Sequence, residues 1–158
     1  MNIFYINKNP IIAAQELADD HIRKMAIESA QMLCFAHYSV GNQPPYKNSK
    51  QHFNHPSSKW VRESIDHYNW LLEHGLEICF EFEERYGKEH ATQKVLIWLL
   101  NNKPDLPKNG FTPPPQCIPI ELQLPDTIDA YKNFYIKDKI AIKKLSWKKL
   151  NNTPAWAL

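Results

Sequence analysis

Residues 11–37, IIAAQELADDHIRKMAIESAQMLCFAH, decide the fold. The run holds neither Gly nor Pro. Leu17, Ile22, Met25, Ala26, Ser29, Met32, Leu33 and Ala36 recur at the intervals of one helix face. The spacing predicts one long helix from Ile11 to about His37. Pro10 suits its first turn, where the missing N–H has no partner to lose. Before it, Ile3 to Ile6 reads as a short extended segment, ended by Asn7, Asn9 and Pro10.

Downstream, Gly41 to Pro56 is a polar loop, and Ser57 or Ser58 caps a second helix. That helix carries Trp60, Val61, Ile65, Tyr68, Leu71, Leu72, Leu76, Ile78, Cys79 and Phe82, and stops at Gly87. Gly75 interrupts its pattern and marks close helix packing. A third helix covers about Ala91 to Leu100. Residues 103–125 form a Pro-rich connection that includes Thr112-Pro113-Pro114-Pro115-Gln116; loops of this length are usually functional or flexible. A fourth, basic helix follows from about Ile128 to Leu145, and Thr153-Pro154-Ala155-Trp156 reads as a tail pinned by an aromatic ring. The expectation is a mainly α, compact single domain over residues 1–158: a bundle of about four helices with a short N-terminal extended segment and a long Pro-rich loop.

Composition narrows the function classes. No run approaches the ~20 apolar residues that span a bilayer, and the N-terminus lacks a signal-peptide pattern. Three dispersed cysteines (Cys34, Cys79, Cys117) without a CxxC pair argue against a disulfide framework and for a reducing, cytoplasmic setting. The seven histidines lack metal-ligand spacing apart from the loose pair His52 and His55, so neither a metal nor a cofactor is expected. Phosphate loops, dinucleotide loops and nucleophile elbows are missing too. Net charge is only +2, yet from Asp126 onward seven Lys face three Asp. That basic segment permits a polyanionic partner.

On the first helix His21, Lys24, Glu28 and Gln31 fall along one edge of the buried arc. Such a stripe can transfer protons when its carboxylate is partly desolvated; the plainer reading is a solvated Lys24–Glu28 pair. His55 and Arg62 sit at the start of the second helix, where an anion can bind or ordinary capping suffices. Arg85, Lys88 and His90 surround Gly87, and there they also complement the helix dipole.

The run Leu17-Ala18-Asp19-Asp20-His21 followed by Glu28 resembles the bacteriophage pyrimidine-dimer DNA glycosylases with AP-lyase activity, the endonuclease V type. That family has Leu-Ala-Asp-Gln-His, with its catalytic glutamate seven residues after the His. The second helix with its closing Arg-x-Gly is similar, Asp138-Lys139-Ile140 resembles a stretch that holds DNA phosphate, and the final Thr153-Pro154-Ala155-Trp156 resembles the family's Pro-Thr-Trp. The resemblance implies a helical fold and a mechanism in which an N-terminal α-amine attacks C1′ of a damaged nucleotide and forms an imine, with the glutamate moving protons before strand cleavage. Base extrusion opens the site.

The match has departures. Asn2 is larger than the family's second residue, so Met1 is expected to stay and to supply the amine. Met25, Ala26 and Ile27 stand before Glu28 where the family has arginines, leaving Arg23 and Lys24 as the nearby cations. The Pro-rich segment has no good counterpart.

The leading expectation is thus a DNA-repair glycosylase, with lyase activity through an imine, acting on a damaged or modified pyrimidine. Its catalytic candidates are Glu28, Met1 and, more weakly, Lys24. Its substrate contacts are His21, Arg23, Gln31, His55, Arg62, Lys88, His90, Gln116, Lys139 and Trp156. Two rivals stand beside it. One is a non-catalytic binder of nucleic acid or a small nucleotide through the basic-aromatic fourth helix. The other is a helical ribonuclease using Arg62 with His67 or Arg85 with His90, both spaced Arg-x4-His.

Overall fold

The structure, a computed structural model, describes residues 1–158. It is built from helices and irregular connections, with no strand. Seven α-helices replace the four expected: α1 Pro10–Gln15, α2 Asp19–Ser39, α3 Lys50–Phe53, α4 Pro56–Glu63, α5 Ile65–Tyr86, α6 Gln93–Asn101 and α7 Thr127–Phe134. A π-helical turn, Tyr135–Ile140, continues α7, and short 3₁₀ turns lie at Ile120–Leu122 and Ala155–Ala157.

The increase comes from breaks in the predicted long helices. The first breaks at Glu16–Ala18 because remote donors take the carbonyls there. Arg85 donates to Gln15 O at 2.8 Å and to Leu17 O at 2.7 Å, and Trp147 Nε1 donates to Glu16 O at 3.0 Å. Backbone groups that have left the helix ladder are thereby satisfied in the interior. Asn9 caps α1, its side chain accepting from Ile11 N and Ile12 N. The second helix breaks at Ser64, whose backbone is extended. There Ile65 N donates to Pro107 O at 2.9 Å, across to the Pro-rich connection.

Residues 3–6 correct the expectation of an extended segment. They have no strand partner and thread the core as irregular chain, with Ile3, Phe4, Tyr5 and Ile6 all buried. Ile6 N donates to Phe4 O at 2.8 Å, a three-residue turn, and Phe4 adopts a positive φ of 33°. The fourth predicted helix is also shorter than expected, since α7 gives way to the π turn at Tyr135.

Helix α2 is the central element, packed against α4, α5 and α6. Gly75 of α5 is where this packing is closest. A Cβ added there would lie 3.2 Å from Leu96 Cδ2 and 3.3 Å from Ser29 Cβ. The basic C-terminal segment folds back over the start of α2, where Asp19 N donates to Ser146 O. Trp156 Nε1 donates to the Glu16 carboxylate at 3.0 Å, which pins the tail. No helix is long and apolar enough to cross a membrane.

Candidate functional site

Glu28 lies in the middle of α2, on the side facing the first residues of the chain. Its Oε2 accepts the Asn2 backbone N–H at 2.9 Å, and the Met1 α-amine stands 3.9 Å from the same oxygen. The Glu28 side chain is 25% exposed and that of Met1 only 3%. The carboxylate is therefore half dry, beside an amine whose own side chain is anchored in protein. Ser58 Oγ donates to Met1 Sδ at 3.5 Å. Since Ser57 and Ser58 are both buried in the first turn of α4, that helix start forms one wall.

His55, expected only as a substrate contact at the start of the second helix, lies close enough to feel both the N-terminal charge and Glu28. It caps α4, its Nδ1 accepting from Ser57 N at 3.2 Å. Burial pushes the imidazole below its ordinary value; the N-terminal charge and His52 push the same way, and Glu28 opposes them. The Pro-rich connection supplies another wall. Asn2 Nδ2 donates to Cys117 O at 3.0 Å, and Cys117 Sγ lies 3.4 Å from Ser57 Oγ. Gln31, one turn beyond Glu28, is half-buried.

Towards the start of α2 the same stripe enters a cavity of about 300 Å³, lined by Asp20, His21, Lys24, Lys139, Lys143 and Leu145. His21 is 2% exposed, packed on the Phe4 ring at 4.2 Å between centroids and hydrogen-bonded through Nδ1 to Tyr135 OH. The Tyr135 oxygen accepts the Ala18 N–H at 3.1 Å, so its own proton goes to His21 Nδ1. Burial, with Lys24 and Lys139 acting in the same direction, lowers the His21 pKa to about 3. The ring is therefore neutral near pH 7, with its proton on Nε2, where it can donate. Lys139 pairs with Asp138 at 2.9 Å and lies over the Phe134 ring at 4.4 Å, while Lys24 and Lys143 are exposed.

Other predicted residues fall elsewhere. Arg23, Lys88 and His90 line a separate cavity of about 480 Å³ with Phe82, Tyr86, Glu89 and Ala91. Within it His90 has no spare nitrogen: Nε2 is bonded to Arg23 O and Nδ1 accepts from Thr92 N. Arg62 does not face a ligand at the α4 start; it donates to Phe53 O at 2.6 Å, lies over the Phe53 ring and ties α3 to α4. Gln116 does not reach the Glu28 site, because its side chain closes a loop by bonding Leu124 N and O. Trp156 is likewise a tail anchor.

The Arg-x4-His pairs both make contacts that tie the fold together. His67 Nδ1 is bonded to Trp60 O at 2.7 Å, and its Nε2 accepts from Thr112 N at 3.0 Å. Arg85 is fully buried with every donor nitrogen engaged. In the second pair every side-chain nitrogen is engaged, whereas in the first Arg62 is held through Nη1 alone.

Sequence reasoning missed Asn2, Ser57, Ser58, Cys117 and Tyr135. Cys117 is partly exposed, unlike Cys34 and Cys79, which are buried, with thiols raised by burial to about 11 and about 12. Its different setting depends on a contact between residues more than a hundred positions apart. No group of three or more His, Cys, Asp or Glu is placed to hold a metal ion. Comparison with known protein families, characterised proteins and solved structures gives no match for this chain.

Proposed function

We propose that this protein is a DNA N-glycosylase with AP-lyase activity, acting on a damaged or modified pyrimidine as a divergent relative of the endonuclease V type. One observation carries the reading: the Met1 α-amine stands 3.9 Å from a half-exposed Glu28 carboxylate, far apart in sequence and together in space. An amine beside a carboxylate, partly screened from water, is the pair that imine chemistry at a sugar carbon needs.

On this reading the Met1 nitrogen attacks C1′. A C–N bond forms as the glycosidic bond breaks, and the base leaves with a proton. The C1′–O4′ bond then opens as C=N forms, a proton passing through Glu28 to O4′, and the iminium carbon makes C2′ acidic. Glu28 takes the C2′ proton, and elimination breaks the C3′–O bond to release the 3′ phosphate. The cavity one to two turns away along α2 offers Lys24, Lys139 and Lys143 together with the His21 Nε2–H, which suits backbone phosphate. The work site of such an enzyme is the cytoplasm, that of a host cell if the chain is phage-encoded.

Borohydride trapping on DNA containing an abasic site tests the proposal. The expected result is a covalent adduct at Met1, identified by peptide mass, that Glu28→Gln forms without strand cleavage. No adduct, together with cleavage unaffected by Glu28→Gln, removes it. The lysine-lined cavity also supports a second reading, a nucleic-acid binder without catalysis. Salt-dependent DNA binding with no turnover would favour that reading, with affinity lost when Lys139 and Lys143 are replaced.

A further inference from the structure

The amine and carboxylate meet only because something holds the first residues in place. Chain ends fray unless tied down, and here the tie is specific. Asn2 uses both ends of its side-chain amide. Its Oδ1 accepts from Ile3 N at 2.8 Å and Phe4 N at 3.4 Å, which turns the chain into the positive-φ conformation of Phe4. Its Nδ2 donates to Cys117 O at 3.0 Å.

Cys117 is itself fixed. Its N–H is shared between Pro115 O at 3.0 Å and Tyr131 OH at 3.3 Å, and the Tyr131 hydroxyl donates to Pro115 O at 2.9 Å. Tyr131 is fully buried in α7. Five residues earlier, Thr112 is gripped at both backbone groups, by Trp60 Nε1 at 2.9 Å and by His67 Nε2 at 3.0 Å. Trp60 and His67 stack at 4.3 Å between ring centroids. Between these grips run Pro113, Pro114 and Pro115, whose rings fix φ and leave little slack.

We infer that the Pro-rich connection is a rigid strap that sets the position of the N-terminal amine, and that Asn2 is the positioning residue through which it acts. The inference rests on the imine-forming role proposed above for Met1. The strap joins α4, α5 and α7 to the chain end, so the Asn2 N–H is aimed at Glu28 Oε2 and the amine is held beside that oxygen. A fixed near-attack geometry is worth a large rate factor, and a misplacement of about 1 Å can cost as much as a hundredfold.

Three variants test it: Asn2→Leu, Tyr131→Phe and, at the other end of the strap, Asn109→Ala, which removes only a bond to Glu63 O. Leu is chosen over Ala because a small second residue lets the initiator Met be removed, and intact mass confirms Met1 in every variant. The single-turnover rate of borohydride trapping on abasic DNA is measured, along with the affinity for the same DNA and hydrogen exchange at the residue 2 amide. Asn2→Leu and Tyr131→Phe are expected to trap about ten to a hundred times more slowly. Their DNA affinity should stay within about twofold and their residue 2 amide should exchange faster, with Asn109→Ala unchanged. Trapping at the wild-type rate in both variants, or an equal loss in Asn109→Ala, overturns the inference. If the wild-type protein forms no adduct, the proposed activity falls on its own. The strap is then judged by exchange alone, and unchanged protection in both variants overturns it.

Discussion

Two cation–carboxylate meetings in this molecule are opposites. Arg85 is fully buried between α1, α2 and α5, and it bonds Glu81, Asp19 and the carbonyls of Gln15 and Leu17 at 2.7–3.2 Å. Every donor nitrogen has a partner, and the arrangement holds a helix break together. The Met1 amine, by contrast, lies 3.9 Å from Glu28, beyond hydrogen-bond range, while a backbone N–H occupies the carboxylate at 2.9 Å. The first cluster is saturated and structural; in the second the amine and the carboxylate are near each other without being bonded. The contrast teaches that proximity of opposite charges says little until donors and acceptors are counted. The histidines divide the same way. His67 and His90 have both nitrogens engaged, whereas His21 has one bonded to Tyr135 and lines a cavity with the other free to donate.

The largest effect that could break this contrast is on catalysis. Under the proposed function, Glu28→Gln should lower the rate of strand cleavage at an abasic site by about 10²–10⁴-fold. Its urea midpoint should move by no more than a surface pair is worth, about 1 kcal/mol or less. A large stability loss in Glu28→Gln would make the two carboxylate clusters alike. Arg85→Met should do the reverse. It leaves two partly buried carboxylates and two carbonyls without the Arg85 donors, and a loss of about 3 kcal/mol in equilibrium unfolding is expected. A loss under about 1 kcal/mol would show that the hub is dispensable.

Acid sharpens the comparison next. Burial holds the His21 pKa at about 3 and the His74 pKa at about 4, so both rings fold neutral. The unfolded chain binds their protons near the ordinary value of about 6.5. Stability from these rings is therefore complete above that pH and is lost as pH falls towards about 4 and about 3. By pH 5 each ring should cost about 2 kcal/mol. Urea titrations at pH 7.5 and 5 check this, and His74→Phe should show a smaller difference between the two pH values than the wild type. The smallest effect concerns the packing behind Glu28. Gly75→Ala gains helix propensity of up to about 1 kcal/mol, but its Cβ would press on Ser29 and Leu96 at 3.3 and 3.2 Å. Overpacking of this kind typically costs about 1–3 kcal/mol, so a net loss of about 1 kcal/mol in thermal or chemical unfolding is expected. A gain would show that α6 yields easily.

Helical periodicity was enough to find most of the helical sequence and the arc of α2 that packs inward. It also placed Glu28 at the margin of that arc, where the structure finds it half exposed. The breaks at Glu16–Ala18 and at Ser64 were not legible, since neither has a Pro or Gly to announce it. They exist because Arg85, Trp147 and Pro107 present partners to backbone groups from far along the chain. The predicted stripe of His21, Lys24, Glu28 and Gln31 is real as a line on a helix, yet it serves two places. Its lower part meets lysines of the C-terminal segment, and its middle meets the first residues.

What the sequence by itself determined is the helical character of the chain, the inward face of α2 and the presence of a carboxylate at its edge. These follow from local spacing, because a helix presents every third and fourth residue to the same side. What only the tertiary structure decided is who faces that carboxylate. The amine of residue 1, the amide of residue 2, His55 and the carbonyl of Cys117 converge through contacts that no periodicity encodes. They depend on buried donors and acceptors each finding a partner from a distant part of the chain.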